Sequence, residues 1–196
     1  MPSLLELLTT VDREALEATQ AIRWGPLTAL LTLATAWWVK GCMFASVGAV
    51  IDARARRWFP LTAALAVAVG ILADVVAIGL KETFDRTRPP EADALIGLPE
   101  SPSLPSGHAT MSFALAAFLS ALHPRLRAPL FALAAIIAVS RPYLGVHYWL
   151  DIAAGAALGT AFGLAAALLV RRLTLAPVGP TTRERRLEPS SDSAGI

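Results

Sequence analysis

Three short polar clusters interrupt an otherwise apolar chain and carry residue types suited to phosphate chemistry. In chain order they are Lys81 with Arg88-Pro89, then Pro105-Ser106-Gly107-His108, then Ser140-Arg141 with His147 and Asp151. Together they supply cations, two histidines and a carboxylate, a set that suits phosphoryl transfer. The hydrophobic stretches around them indicate that the phosphate belongs to a membrane lipid.

The third cluster contains a candidate nucleophile. Residues four apart lie on one helix face, so Asp151 can accept a hydrogen bond from one ring nitrogen of His147 and leave the other free to attack. That arrangement would fix the tautomer and raise the nucleophilicity of the imidazole. Taken alone, the segment fits a histidine at a helix start beside a structural carboxylate equally well.

The second cluster precedes an apolar helical run, which makes Ser106 a candidate N-cap. The small Ser106-Gly107 pair would let backbone N–H groups approach an anion at the positive end of the helix. His108 would then lie beside the phosphate, where it could protonate a leaving oxygen. The simpler alternative is that Ser106 and Gly107 only cap the helix.

The first cluster supplies positive charge at the end of a predicted span. Lys81 and Arg88 are seven residues apart, two turns if the helix persists, and Pro89 and Pro90 would end it. With Arg141 they could form a cradle of three cations around a transferring phosphoryl group. The alternative is that both side chains simply reach the membrane interface.

The chain has more apolar residues than a soluble core of its size needs, with 196 residues, 55% of them hydrophobic, and a mean hydropathy of +0.56. Since about 20 apolar residues cross a bilayer, the sequence predicts spans at 61–80 and 148–170, and shorter ones at 109–122, 128–140 and 36–51. We therefore expect an all-α protein of the cell membrane, an integral membrane helical bundle with about five transmembrane helices.

Residues 1–24 are predicted to form an amphipathic helix at the membrane interface, with Leu4, Leu8, Val11 and Ala15 on its apolar face. The sequence leaves open whether residues 24–36 cross the membrane. Residues 1–172 form one membrane-embedded domain in this interpretation. Residues 173–196, rich in Arg, Pro and Ser, are expected to form a disordered cytoplasmic tail.

Arginines in three connections predict the orientation in the membrane. They are Arg54, Arg56 and Arg57, then Arg125 and Arg127, then Arg171 and Arg172. Cytoplasmic connections carry an excess of basic residues, so all three groups are expected inside. The three polar clusters, and the loop at 82–106, then lie at the outer, non-cytoplasmic face.

Composition argues against several other classes of protein. Cys42 is the sole cysteine, which excludes an intrachain disulfide and argues against a cysteine metal site. A net charge of +2 gives no reason to expect nucleic acid as a partner. We expect no cleavable signal peptide, because no basic segment follows Met1. The oligomeric state is left open.

The three clusters, in this order and spacing, resemble the signature motifs of the type 2 phosphatidic acid phosphatase superfamily, which is related to vanadium-dependent haloperoxidases. About a dozen positions from Lys81 to Asp151 match. The resemblance implies an all-helical membrane fold and a phosphatase that needs no metal or other cofactor. It also implies site roles: His147 as nucleophile, Asp151 as its orienting partner, His108 as general acid, and Lys81, Arg88, Ser106, Gly107 and Arg141 as phosphate ligands.

The sequence therefore predicts a membrane lipid phosphatase that works through a phosphohistidine, and the family resemblance suggests a polyprenyl diphosphate as the first choice of substrate. Phosphatidate or phosphatidylglycerophosphate would fit the same motifs. A membrane protein that binds lipid phosphates without catalysis is a second class, although binding alone needs no nucleophile with an orienting carboxylate. A haloperoxidase is a third class, and the membrane spans weigh against it.

Three further residues have less definite expectations. Asp74 lies within a predicted span, where it could pair with a cation beneath the site or make a packing hydrogen bond. Arg86 and Tyr143 are expected to contact the lipid head group.

Overall fold

A computed structural model describes residues 4–34, 36–56 and 60–175. These residues form seven α-helices and two single-turn 3-10 helices, Glu91–Asp93 and Pro124–Leu126, and contain no β-strand. The α-helices are α1 Leu4–Ala21, α2 Gly25–Ala34, α3 Trp37–Arg54, α4 Leu61–Phe84, α5 Gly107–Leu122, α6 Arg127–Tyr143 and α7 Trp149–Leu175. The prediction of an all-α helical bundle is confirmed.

Three helical segments of the described chain are long and apolar enough to cross a membrane: Leu61–Phe84, Pro124–Tyr143 and Trp149–Leu173. α3, with 18 residues, and α5, with 16, coincide with the other two predicted spans, so a total of five remains a prediction. α7 continues to Leu175, into the tail predicted to begin at 173. Arg57 and residues 176–196 lie outside the described residues.

Small residues let α5 and α7 pack with their backbones in contact. Three glycines spaced four residues apart line the contact face of α7: Gly155, Gly159 and Gly163. A Cβ atom on Gly155 would lie 2.7 Å from the carbonyl oxygen of Ser106, and one on Gly159 would overlap the carbonyl oxygen of Thr110. Small residues at every fourth position are a common basis of close helix packing in lipid. This packing fixes the first turns of α5 and α7 side by side.

A buried carboxylate joins α3 to α4. Asp52 is 2% exposed, and its Oδ2 accepts hydrogen bonds from the N–H groups of Thr62 (2.7 Å) and Ala63 (3.1 Å). Those two N–H groups are among the first of α4, which have no partner within the helix. Asp52 therefore caps α4 from the preceding helix and closes the connection that follows Arg54.

The predicted amphipathic helix forms as α1, but its apolar stripe is not the face that packs against the bundle. Leu8 and Val11 are 45% and 54% exposed, whereas Asp12 and Leu16 are 6% and 2% exposed. Leu8 and Val11 thus point away from the bundle, whereas Asp12 and Leu16 face it. α2 has 10 residues, about 15 Å of helix, so it is too short to span a membrane alone.

Candidate active site

The fold brings the three polar clusters to one end of the bundle. The C-terminus of α4, the N-termini of α5 and α7 and the C-terminus of α6 all lie there. The N–H of Ser106 donates to the carbonyl of Asp151 at 3.0 Å, and the N–H of Leu95 donates to the carbonyl of Leu144 at 2.9 Å. These bonds join the second cluster to the third and tie the loop after α4 to the turn between α6 and α7.

The candidate nucleophile lies in the turn that enters α7. The chain leaves α6 at Tyr143 and turns at Gly145, whose φ of 79° favours glycine. His147 then lies two residues before α7 begins. Oδ2 of Asp151 lies 3.2 Å from Nδ1 of His147 and accepts the N–H of Tyr148 at 2.9 Å. The predicted contact is present, but a helix-entry turn makes it rather than one face of a helix.

The hydrogen-bond partners of His147 determine its tautomer. Nη1 of Arg88 lies 3.2 Å from Nε2, and the Asp151 carboxylate lies on the Nδ1 side. A guanidinium can only donate and a carboxylate can only accept, so the neutral ring carries its proton on Nδ1 and presents a lone pair on Nε2. Nε2 is therefore the nitrogen able to act as a nucleophile.

Burial keeps the His147 ring neutral at physiological pH. The residue is 3% exposed, and this desolvation lowers the pKa of its ring from 6.5 to about 4. The hydrogen bond to Asp151 acts in the opposite direction, and the positive charges of Arg88 and Arg141 reinforce the lowering. An uncharged imidazole with an available lone pair is the form that nucleophilic attack requires.

Arg88 reaches the site by a route that the spacing did not predict. α4 ends at Phe84, and Asp85 has a left-handed conformation with φ 41° and ψ 40°, so the helix does not persist to Arg88. Carbonyl groups hold the guanidinium instead: Nε donates to Ser101 at 2.7 Å and Nη1 to Val146 at 2.8 Å. Burial lowers the pKa of Arg88, and the negative charge of Asp151 opposes this.

The other two predicted cations lie at the same end. The Nζ of Lys81 donates to the carbonyl of Pro102, which also accepts Nη2 of Arg88 at 3.2 Å. Arg141, in the last turn of α6, is only 5% exposed, and its charge acts on His147. The structure thus places Lys81, Arg88 and Arg141 at the end of the bundle that contains His147, as the sequence predicted.

Ser106 is the N-cap of α5, and its Oγ accepts the N–H of Ala109 at 3.5 Å, so the predicted cap is confirmed. A Cβ atom on Gly107 would lie 2.8 Å from Oδ1 of Asp74, which shows that this carboxylate lies directly against the start of α5. His108 lies in the first turn of the same helix and is partly buried. The bond from Ser106 to Asp151 places this turn beside the entry to α7.

Arg86 bridges two carboxylates rather than pointing to a head group. Its Nη1 donates to Oδ1 of Asp151 at 2.6 Å, and its Nη2 donates to Oδ2 of Asp12 at 2.7 Å. Burial alone would lower the pKa of Arg86, but the hydrogen bond to Asp12 and the charge of Asp151 outweigh it and raise that pKa. Sequence analysis did not identify Asp12.

Tyr143 is also engaged within the protein, because its hydroxyl accepts the N–H of Trp24 at 2.7 Å.

An apolar cleft of about 500 Å³ lies between α3, α4 and α5. Its walls include Phe44, Ala45, Val67, Ile71 and Met111, and Asp74 lies among the lining residues. Because Asp74 also contacts the start of α5, the cleft leads toward the polar end of the bundle. An alkyl chain within the membrane could enter it while a polar group remained at the site.

Comparison with known proteins agrees with this geometry. The sequence model of the PAP2 superfamily matches residues 57–175. The chain belongs to the PAP2 superfamily. Two solved structures share its fold: a PAP2-type phosphatidylglycerolphosphate phosphatase from Bacillus subtilis (TM-score 0.63, 25% identity, 86% of each chain) and Aquifex aeolicus LpxE (TM-score 0.57, 26% identity, 80% of this chain and 94% of that one).

Two curated relatives are also similar over shorter stretches. The lipid A 1-phosphatase of Rhizobium johnstonii is 38% identical over 73 residues, and that of Rhizobium etli is 36% identical over 97 residues. These alignments cover 37% and 47% of this chain. The chain spans only 30% and 41% of the length of these two relatives.

Proposed function

We propose that this PAP2 superfamily member is a membrane lipid phosphatase that hydrolyses a lipid phosphomonoester or diphosphate through a phosphohistidine. The proposal rests on the burial, the protonation and the hydrogen-bond partners of His147. The ring is buried and neutral, its Nδ1 proton faces Asp151, and its Nε2 lone pair faces the guanidinium of Arg88. A site that only bound phosphate would need the cations but not an oriented nucleophile.

In the proposed mechanism, the phosphate enters among Lys81, Arg88 and Arg141, and its oxygens replace Nε2 as the partner of Arg88. Nε2 of His147 attacks phosphorus, the bond to the leaving oxygen breaks, and that oxygen keeps the electron pair and takes a proton from His108. The cations, with the N–H group of Gly107 and the hydroxyl of Ser106, stabilise the charge on the equatorial oxygens.

The second half of the reaction releases phosphate. While phosphorus is bonded to Nε2 the ring carries positive charge, which Asp151 stabilises through the Nδ1 hydrogen bond. Water attacks phosphorus, His108 accepts its proton, and the P–N bond breaks with its electron pair returning to Nε2. No proton needs to leave Nδ1 in either step.

The substrate is proposed to be a lipid because the apolar cleft lies between membrane helices and leads to the site. Polyprenyl diphosphate remains the substrate predicted from the sequence resemblance. The name of one relative supports phosphatidylglycerophosphate, which the motifs already allowed, and the names of the others add the 1-phosphate of lipid A to the candidates. We therefore propose the class of lipid phosphates and diphosphates, with these compounds and phosphatidate as the panel to be compared.

We propose that the site faces the outer side of the cell membrane. Arg54 ends α3 and Arg56 follows it, and Arg171, near the end of α7, donates to the carbonyl of Ala121 at the far end of α5. These arginines lie at the end of the bundle away from His147, and basic connections favour the cytoplasm. Single cysteines at Glu100 or Arg125 in a Cys42→Ser background, labelled in intact cells with an impermeant maleimide, test this. Labelling of the cysteine at position 125 but not of the one at position 100 would show that the site faces the cytoplasm.

The function is tested by phosphate release from the substrate panel with purified protein in detergent, with and without a chelator. His147→Ala should lose activity by a factor of about 10⁴ or more, because it removes the nucleophile. His123→Ala is the matched control, since His123 ends α5 at the opposite end of the bundle and should retain wild-type turnover.

A labelled, acid-labile phosphoenzyme should form in the His123→Ala variant but not in His147→Ala. Unchanged turnover in His147→Ala would remove the mechanism. Binding of lipid phosphates without release in any variant, wild type included, would identify a binding protein. Loss of turnover with a chelator would contradict the metal-free scheme.

A further inference from the structure

The helix α1 lies outside the region matched by the family model, yet it reaches the candidate active site. The carboxylate of Asp12 is 6% exposed, and its two oxygens have different partners. Oδ2 accepts Nη2 of Arg86 at 2.7 Å, and Oδ1 accepts the N–H of Leu150, in the first turn of α7, at 3.1 Å. A second contact lies further along α1, where Thr19 Oγ1 accepts Nε1 of Trp149 at 2.9 Å.

Arg86 connects Asp12 to the nucleophile. Its guanidinium gives one arm to Asp12 and the other to Oδ1 of Asp151, and its central carbon lies 4.4 Å from the centre of the Tyr148 ring. The second oxygen of Asp151, Oδ2, remains available to Nδ1 of His147. The side chains of Asp12, Arg86, Asp151 and His147 therefore form a continuous series of hydrogen bonds from α1 to the imidazole ring.

The division of the guanidinium between two carboxylates has a consequence for His147. A guanidinium with one carboxylate partner prefers a bidentate pair in which both oxygens accept. If Asp12 were absent, Arg86 could take both oxygens of Asp151, and the Nδ1 proton of His147 would compete for Oδ2. Asp12 prevents this by holding the second arm of Arg86.

We propose that Asp12 is a positioning residue of the active site, which holds Arg86 so that Oδ2 of Asp151 stays available to His147. It does not touch the substrate. This inference rests on the proposed phosphatase function and adds to it a contribution from the N-terminal helix. The residue acts on the orientation of the ring, so its loss should affect turnover more than substrate binding.

The test is Asp12→Asn in the full-length protein. An asparagine can accept from Leu150 through its oxygen, but its amide nitrogen then faces Arg86, where a donor cannot pair with another donor. We expect kcat to fall about 10- to 100-fold with KM changed less than about threefold, as for other partners that orient a reacting group. Glu14→Gln is the matched control, since this exposed carboxylate lies on the same helix.

Two further variants separate positioning from simple docking of α1. Thr19→Val removes the bond to Trp149 but leaves Asp12 in place, and should keep wild-type kcat. In an Arg86→Gln background, Asp12→Asn should have no additional effect on kcat, because its action passes through Arg86. Asp12→Glu should recover part of the activity lost in Asp12→Asn, and replaces it as the test variant if Asp12→Asn is not recovered folded.

The outcomes distinguish the two proposals. If the wild type is active and His147→Ala is not, but Asp12→Asn behaves as Glu14→Gln does, only the role of Asp12 is rejected. An equal loss in Thr19→Val, or an additive loss in the Arg86→Gln background, would also reject it in favour of a structural role. Full activity in His147→Ala would instead reject the phosphohistidine mechanism itself.

Discussion

Oδ2 of Asp151 lies 3.2 Å from Nδ1 of His147 and also accepts the backbone N–H of Tyr148. One carboxylate oxygen therefore orients the ring and holds the turn from which the ring projects. The other oxygen is bound to Arg86, so both oxygens of this buried carboxylate are engaged. Any change at Asp151 should affect the tautomer of His147 before it affects substrate binding.

Asp151→Asn should reduce kcat by about 10³- to 10⁴-fold, comparable to the loss when the carboxylate of a Ser-His-Asp triad is replaced by an amide. An amide can present an N–H to Nδ1, which would shift the ring proton to Nε2 and remove the nucleophilic lone pair. Steady-state kinetics on a lipid phosphate measure kcat and KM separately. The expected change in KM is small, because the three cations are untouched.

Asp85→Asn is the control for that substitution. Asp85 is exposed, lies just after α4 at the same end of the bundle, and has a left-handed conformation that asparagine adopts readily. It should keep wild-type kinetics. A variant Asp151→Asn with normal kcat would show that orientation by this carboxylate is not required.

The stability of the protein should depend on pH through His147. The pKa of the folded-state ring is about 4, whereas an unfolded histidine titrates near 6.5, so the unfolded chain binds more protons between these values. The contribution of His147 is present above pH 6.5 and is lost as the pH falls toward 4, by about 3 kcal/mol in total. Thermal unfolding from pH 7.5 to pH 4 measures it.

His147→Gln removes this titration, so its melting temperature should fall less than that of the wild type over the same pH range. Carboxylates that titrate in both proteins cancel in the comparison. His123→Gln should behave as the wild type does. Parallel curves for wild type and His147→Gln would mean that the buried ring does not resist protonation.

Much of the fold and of the site follows from local sequence signals. The apolar runs predicted the positions of α3 to α7, and the Ser106-Gly107 pair predicted the start of α5. The four-residue spacing predicted the contact between His147 and Asp151. Each of these features depends on residues close together in the chain, where periodicity and capping preferences have a direct physical meaning.

The features that sequence analysis missed depend on distant residues. The contact between Asp12 and Arg86 joins positions 74 residues apart, and no spacing rule predicts it. The capping of α4 by Asp52 joins residues only ten apart, but the carboxylate comes from another helix, so the sequence around the start of α4 gives no sign of it. Arg88 lies near His147 because the loop after α4 turns back, which depends on carbonyl groups rather than on side-chain patterns. Hydrophobic periodicity could not show that α1 packs through Asp12.

Gly159→Ala should destabilise the protein and reduce activity. Its Cβ would overlap the Thr110 carbonyl and lie 3.0 Å from the N of Ala114, so α5 and α7 would have to separate. Overpacking of this kind costs about 1–3 kcal/mol, and backbone contact places the cost at the upper end. Thermal unfolding measures the change in stability, and steady-state kinetics measure the change in kcat.

Gly79→Ala in α4, where a Cβ meets nothing within 4 Å, is the control and should not be destabilising. Equal stability of the two variants would contradict the tight packing of α5 on α7.

Ala45→Phe tests whether the apolar cleft accepts the lipid tail. Ala45 lines the cleft, so a phenyl ring there would fill space that an alkyl chain would otherwise occupy. We expect kcat/KM for a long-chain lipid phosphate to fall about 10-fold, equivalent to about 1.4 kcal/mol of lost binding. A short, water-soluble phosphate ester has no tail to displace, and its kcat/KM should stay unchanged.

Ala49→Phe is the control, because it adds the same ring one turn along α3 at an exposed position outside the cleft. It should leave kcat/KM unchanged for both substrates. If Ala45→Phe slows both substrates equally, the ring disturbs the site itself, and the lipid tail binds elsewhere.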